Sequence, residues 1–265
     1  NKLDQFLKDD KQHYIVTPNP EIILQAQHDE EFFYILNKAD LAIPDGFGLK
    51  ISGWIMGKNI RRKTGSDLTV NLLNFAEKNK IKSAILNWRN GLSKKDEIKQ
   101  ALKQQFPNLD FIVIDADRER KEADLTYLNE FQPKLLLVSL GAPYQEKFIY
   151  HNLKKIPSAK LGIGVGGSID YLIGKVKRSP KIMRNIGLEW LYRLIKQPNR
   201  WKRIINAVIV FPWKFFKWRF IYPFLYRQNV ACILYKKEQN KYKILLLERA
   251  DQPNHWQLPQ GGIDH

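Results

Sequence analysis

One carboxylate, Asp45, stands just past an apolar run, Leu41-Ala42-Ile43, in a turn opened by Pro44 and loosened by Gly46 and Gly48. A partly buried carboxylate at a strand end can serve as a general base. Pro-Asp-Gly also forms turns with no chemistry attached. Thr17 and Asn19, in Thr-Pro-Asn, close the preceding apolar run. Each can hydrogen-bond a sugar hydroxyl or amide, and Asn19 can instead cap a helix that opens at Pro20. Arg62, beside Arg61, precedes a Thr-Gly-Ser turn whose Ser66 can cap a second helix. Arginine there can grip a phosphate with two parallel hydrogen bonds, or lie in solvent. Gln145, in "GAPYQEKF", both donates and accepts.

"GIGVGG" fits G-x-G-x-x-G through Gly162, Gly164 and Gly167. It is weak as a dinucleotide fingerprint, because the first two glycines fall inside an apolar strand pattern. The amides of Gly166, Gly167 and Ser168 can still hold a pyrophosphate, or the glycines can simply let strand and helix pack closely. Arg193, Arg200 and Arg203 complete the set. Arg200 and Arg203, three apart, share a helix face, although Pro198 interrupts the helix before them. Three such arginines can clamp a diphosphate or meet anionic lipid. No His/Cys cluster has metal-ligand spacing, no Ser-His-Asp arrangement stands out, and the one Asp-x-Asp, at 115–117, lies in a charged stretch. No metal site is expected.

These residues need a scaffold. Strand patterns at 13–19, 41–46, 82–88, 110–116, 134–141 and 160–167 alternate with helical patterns at 20–39, 65–80, 93–106 and 144–155. That order predicts an α/β fold: a Rossmann-like, mostly parallel sheet with helices on both faces. In such sheets ligands gather at the carboxyl ends of the strands. "TPN", "PDG", "NWRNG", "GAP" and "GVGG" all follow strands, so Asp45 is expected on that edge.

The 265 residues are 44% hydrophobic and 12% aromatic, which excludes disorder as the dominant state. A single cysteine, Cys232, excludes an internal disulfide and fits a reducing compartment. The chain opens on Asn1, so residues are expected to precede it. The formal charge is +17, and residues 171–227 carry 14 Lys or Arg against one acid, Glu189. Three segments are expected: an α/β core at 1–170, a basic and aromatic appendage at 171–227, and a β-rich tail at 229–265. The appendage's longest apolar run, 207–213, falls far short of the ~20 residues that span a bilayer. Aromatics interleaved with Lys214, Lys217 and Arg219 suit a helix lying among lipid headgroups, or a capping helix with an ordinary core. A nucleic-acid binder using the same charge is the rival class, but it leaves the strand-end polar residues idle.

"TPNPE", "IPDGFG", "TGSDL", "LGAPYQEKFI", "GVGGSIDYLIGKVKRSP" and "GLEWLYRLIKQPNRWKR", in this order, resemble the WecG/TagA/CpsF glycosyltransferases over residues 1–219. The resemblance implies an inverting, metal-independent transferase without a cofactor. It would move an N-acetylmannosamine-type sugar from a UDP donor to a polyprenyl-diphosphate-linked N-acetylglucosamine. Asp45 would be the base, Thr17 and Asn19 would hold the sugar, and Arg62 and Gln145 would contact donor or acceptor. Arg193, Arg200 and Arg203 would engage the lipid diphosphate. The enzyme would sit on the anionic inner face of the cell membrane, with no nucleic-acid partner and with a homo-oligomer admissible. Two positions depart from the family's pattern. Asn87-Trp88-Arg89-Asn90-Gly91 replaces a glycine-rich loop common there, and Tyr144 stands where lysine is frequent. The tail, "VACILYKK…YKILLLERA…HWQLPQGGID", resembles the opening of a Nudix hydrolase without the metal-binding glutamates that should follow Gly261, so no hydrolase activity is expected of it.

Overall fold

The computed structural model describes residues 2–60, 64–118, 125–177, 179–180, 182–183, 186–225, 229–238, 241–248 and 254–262. They form two compact units, residues 1–212 and 213–265. The first is built on six parallel strands: β1 (His13–Val16), β2 (Leu41–Ala42), β3 (Ser83–Trp88), β4 (Phe111–Ala116), β5 (Leu135–Ser139) and β6 (Leu161–Gly164). Their spatial order is β2-β1-β6-β5-β3-β4. The α/β architecture expected from the alternating patterns is present.

Both faces of the sheet are covered, and strand periodicity shows how. Ile85, Leu135, Leu137 and Ile163 face one layer, made of helices α1 (Lys2–Lys8), α5 (Gly65–Lys78), α6 (Lys95–Gln105) and α9 (Ser168–Leu172). Their neighbours Ala84, Leu86, Leu136 and Val138 face the other layer, with Leu128 of α7 (Thr126–Phe131) and Phe148 and Ile149 of α8 (Tyr144–Asn152). Because successive side chains of a strand point to opposite faces, burial on both sides demands the near-continuous apolar runs seen in β3 and β5.

Several local expectations are corrected. The helix expected over 20–39 is two helices, α2 (Pro20–Ala26) and α3 (Glu30–Lys38). Asp29 interrupts it by accepting the Phe32 amide at 2.9 Å, an N-cap bond that a mid-helix aspartate could not make. The strand expected over 41–46 stops at Ala42, although the Ile43 amide still donates to Val16 O (2.9 Å) and the Asp45 amide to Pro18 O (2.8 Å). Helix α4 (Phe47–Ile55) follows at once. Its glycines concealed it in the sequence. A Cβ at Gly48 would come within 3.0 Å of Pro20, and one at Gly53 within 2.4 Å of Ile60, so close packing accounts for both. Thr64, rather than Ser66, caps α5, accepting the Asp67 amide at 3.3 Å.

After α9 the first unit continues through helix Glu189–Lys196, a 3₁₀ turn at Pro198–Arg200 and helix Trp201–Ile205. Pro198 does break the helical run before Arg200. Phe211 packs with Leu24 and Leu49, which fastens this region against α2 and α4.

In the second unit, residues 213–225 are helical and carry stacked, largely exposed aromatics: Trp213 on Phe216 (6.0 Å between ring centroids) and Phe216 against Phe220 (5.2 Å), with the Lys217 amine 5.2 Å from the Trp213 ring centroid. No helix among the described residues is long and apolar enough to cross a membrane. The tail's two expected strands are broken into shorter pieces. Tyr235–Glu238 pairs antiparallel with Lys241–Ile244, Leu247–Glu248 with Trp256–Gln257, and Gln260–Gly262 with Asn229–Ala231. Among its described residues none is buried, in keeping with strands too few to enclose a core.

Candidate active site

The carboxyl edge of the sheet opens into a cavity of about 570 Å³. Thr17 and Asn19 enter it after β1, Asp45 after β2, Gln145 from α8, Gly166 and Gly167 after β6, and Arg193, Arg200 and Arg203 from the basic helices. The sequence's candidates therefore converge on one place. Arg62 lies outside the described residues. A smaller recess of about 200 Å³ shares Asn19, Asp45 and the three arginines and adds Phe47, Trp190, Ile204 and Val208 as an apolar wall.

Asp45 is held from two sides. Its own amide is tied to the β1 extension, and its Oδ2 accepts the amide of Gly65, the first residue of α5, at 3.2 Å. A helix N-terminus favours a negative group beside it, and α5 thereby aims the carboxylate. Thr17 donates weakly to Gly164 O (3.4 Å). Asn19 caps α2 through Oδ1, which accepts the Ile22 amide at 3.0 Å; its Nδ2 has no protein partner among the described residues.

Gln145 is nearly sealed, 3% exposed, and both ends of its amide are engaged. Oε1 accepts the Gly166 amide at 2.9 Å, and Nε2 donates to Glu146 Oε1 at 2.7 Å. Room for this exists because residue 164 is glycine: a Cβ there would meet Gln145 Nε2 at 2.5 Å. Gly166 itself adopts φ +49°, and its carbonyl accepts Ser139 Oγ at 2.7 Å. The Ser168 amide donates to Val165 O at 3.0 Å. Of the three amides the sequence offered to a pyrophosphate, those of Gly166 and Ser168 are occupied inside the turn. The sequence did not single out Glu146. It is 1% exposed, burial pushes its carboxyl up to about 7 against the opposing bond from Gln145, and its Oε2 has no partner among the described residues.

The three arginines differ. Arg203 makes a two-pronged ion pair with Glu21, Nε to Oε1 at 2.7 Å and Nη2 to Oε2 at 2.8 Å. Arg193 is paired with Glu189 four residues earlier on its helix. Burial opposes Arg193's charge, but Glu189, Tyr171 and Asp45 together hold its pKa above the ordinary value. Arg200 has no carboxylate within ion-pair distance among the described residues. Burial, then repulsion from Arg203, lowers its pKa, though a guanidinium remains charged at any physiological pH. Arg200 thus keeps open hydrogen-bonding capacity, among the described residues, in the cavity that Asp45 also lines.

Sequence reasoning also missed Arg118, hidden in the charged stretch after β4. Its guanidinium carbon lies 3.4 Å from the Trp88 ring centroid and 5.6 Å from that of Tyr144. Trp88 and Tyr144, the aromatics that the resemblance set apart, therefore meet around one arginine, and Trp88 and Arg118 line the same cavity. Neither aromatic predicts this alone, because β3, β4 and α8 are far apart in the chain.

Comparison with known proteins identifies the chain's relatives. The family model described as "Glycosyl transferase WecG/TagA/CpsF family" matches residues 1–223. An N-acetylglucosaminyldiphosphoundecaprenol N-acetyl-β-D-mannosaminyltransferase of Bacillus subtilis (strain 168) is 34% identical over 197 residues, 72% of this chain and 75% of the relative. Proteins of the same name from Bacillus spizizenii (32% over 207 residues; 76% and 78%) and Staphylococcus aureus strain MRSA252 (31% over 211; 77% and 80%) are also similar. Family match, identity and coverage lead to one conclusion: this chain belongs to the WecG/TagA/CpsF glycosyl transferase family.

Proposed function

We propose that this protein transfers an N-acetylmannosaminyl group from a UDP donor to a polyprenyl-diphosphate-linked N-acetylglucosamine. The names of its relatives support that acceptor and that sugar. Asp45 accepts the proton of the attacking acceptor hydroxyl. The hydroxyl oxygen bonds to the anomeric carbon as the bond to the UDP oxygen breaks, which inverts the configuration. The observation that carries this reading is the pairing, in one cavity, of a carboxylate anchored on a helix N-terminus with a partly buried guanidinium that has no carboxylate partner among the described residues. Such a pair suits an acceptor that presents a hydroxyl to Asp45 and a diphosphate to Arg200, with Arg193 and Arg203 enlarging the positive field.

Thr17 and the free amide of Asn19 hold the sugar. Gln145 acts through Gly166, whose turn it fixes. Gly167 offers the remaining amide of that turn to a phosphate, and Arg62 contacts donor or acceptor. The exposed aromatics and lysines of 213–225 dock the enzyme on an anionic membrane surface at the cytoplasmic face. The tail after residue 228, read as a Nudix-like opening, takes no part in transfer, and a homo-oligomer is compatible with the scheme.

The test is a donor screen against a lipid-diphosphate-linked N-acetylglucosamine, with and without EDTA. UDP release from UDP-N-acetylmannosamine, unaffected by EDTA, is expected. Faster turnover with UDP-glucose or UDP-N-acetylmannosaminuronic acid would reassign the donor. Salt-sensitive binding to RNA but not to anionic liposomes would favour a nucleic-acid binder.

A further inference from the structure

We propose that Arg118 is the leaving-group cation of the reaction: the guanidinium, mounted on Trp88, that takes the donor's diphosphate at the end of the cavity away from Asp45. The inference rests on the transfer reaction proposed above and adds a residue to it.

Inversion sets the geometry. The attacking hydroxyl and the departing phosphate oxygen must lie on opposite sides of the anomeric carbon, so the diphosphate leaves on the side away from the base. Asp45 follows β2, at one edge of the sheet. Arg118 follows β4, at the other edge, with β1, β6, β5 and β3 between them. The cavity extends from one residue to the other. Among the basic helices' arginines, Arg193 is the one whose pKa Asp45's charge helps to raise, whereas Arg203 is near enough to Arg118 to repel its charge. Among the described residues, Arg118 is the one basic side chain lining the cavity that does not come from the basic helices, and it is the cation we assign to the donor's diphosphate.

Arg118 is prepared for that role. Its ring contact with Trp88 fixes the plane of the guanidinium, and its Nε donates to the Leu140 carbonyl. Its Nη2 lies over Gly141, where a Cβ would come within 2.8 Å of it, so the turn before α8 is kept clear for it. The cavity's carboxylates are committed elsewhere: Glu21 to Arg203, Glu189 to Arg193, Asp170 to Ser93 and Asp45 to the Gly65 amide. No carboxylate among the described residues lies within ion-pair distance of Arg118. Burial and the charge of Arg203 both lower its pKa, so a bound polyanion would relieve the repulsion between these cations. A preorganised planar donor in a partly desolvated wall suits a developing phosphate charge.

The experiment measures binding of UDP and of uridine to the full chain and to R118Q, with circular dichroism and a melting curve to verify folding. The expected result is UDP affinity reduced about 10-fold or more, the scale of a lost charge-assisted hydrogen-bond pair, with uridine affinity unchanged. In turnover, R118Q should raise the donor KM or lower kcat while the acceptor KM stays put, the reverse of Arg200→Ala. Equal UDP affinity in parent and R118Q would overturn the assignment and leave the transferase reading standing. A parent chain that binds no UDP would overturn both.

Discussion

The Gly65 amide donates to Asp45 Oδ2 at 3.2 Å, so the proposed base is fastened to the first residue of α5. The position of the carboxylate depends on how that helix begins, which makes Thr64, the residue that caps it, part of the site's support.

Thr64→Ala should cost about 1 kcal/mol of stability through the lost cap. It should also lower kcat with little change in either KM, because the carboxylate it helps to aim contacts only the reacting hydroxyl. Urea unfolding and steady-state kinetics measure the two effects. Lost stability with unchanged kcat would separate the cap from the chemistry.

Arg200→Ala and Arg203→Ala should differ. Arg200 has no carboxylate partner among the described residues, so its loss should raise the acceptor KM about 10-fold or more. Loss of Arg203 also releases Glu21 into the cavity rim, which adds repulsion toward the acceptor's diphosphate. Its rise in KM should therefore be partly recovered in the Glu21→Gln, Arg203→Ala double variant. Equal, additive effects would contradict this division of roles.

Glu146 should give stability a measurable pH dependence. The folded chain holds its proton to about pH 7, whereas an unfolded chain releases it near the ordinary 4.5. Between those values the native state binds the extra proton, so stability falls as pH rises, by at most about 1.4 kcal/mol per unit, and levels off above 7. Glu146→Gln should flatten that slope in melting temperatures taken from pH 4.5 to 8. A slope identical to the parent's would mean that this carboxyl does not titrate in the window.

Replacing Trp213, Trp218 and Phe224 together by serine should reduce co-sedimentation with anionic liposomes while leaving turnover on a short-chain, detergent-soluble acceptor intact. Phe224 is 89% exposed, so its removal disturbs no packing. Retained liposome binding would assign membrane attachment to the basic charge alone.

The sheet was legible in the sequence because its central strands are buried on both faces: continuous runs such as "KLLLVS" and "SAILNW" admit few other readings. The carboxyl edge was legible for the same reason, since Thr17, Asp45, Gln145 and Gly166 each follow such a run. Helix α4 was not, because Gly48 and Gly53 answer to contacts with Pro20 and Ile60 that only the fold creates. The break at Asp29 was missed because an aspartate inside a helical period signals a cap only when its side chain captures an amide. Arg118 was invisible because its meaning comes from Trp88, thirty positions earlier, and from Gly141. Local sequence thus gave the edge on which chemistry occurs, while the partners of each charged group required the packed chain.

The most direct test is turnover of Asp45→Asn with saturating donor and acceptor. The variant keeps an oxygen for the Gly65 amide but cannot take the acceptor's proton. If Asp45 is the base, kcat should drop about 10²-fold or more while the melting temperature and UDP affinity stay near those of the parent. A kcat matching the parent's would remove Asp45 from the chemistry and the account with it.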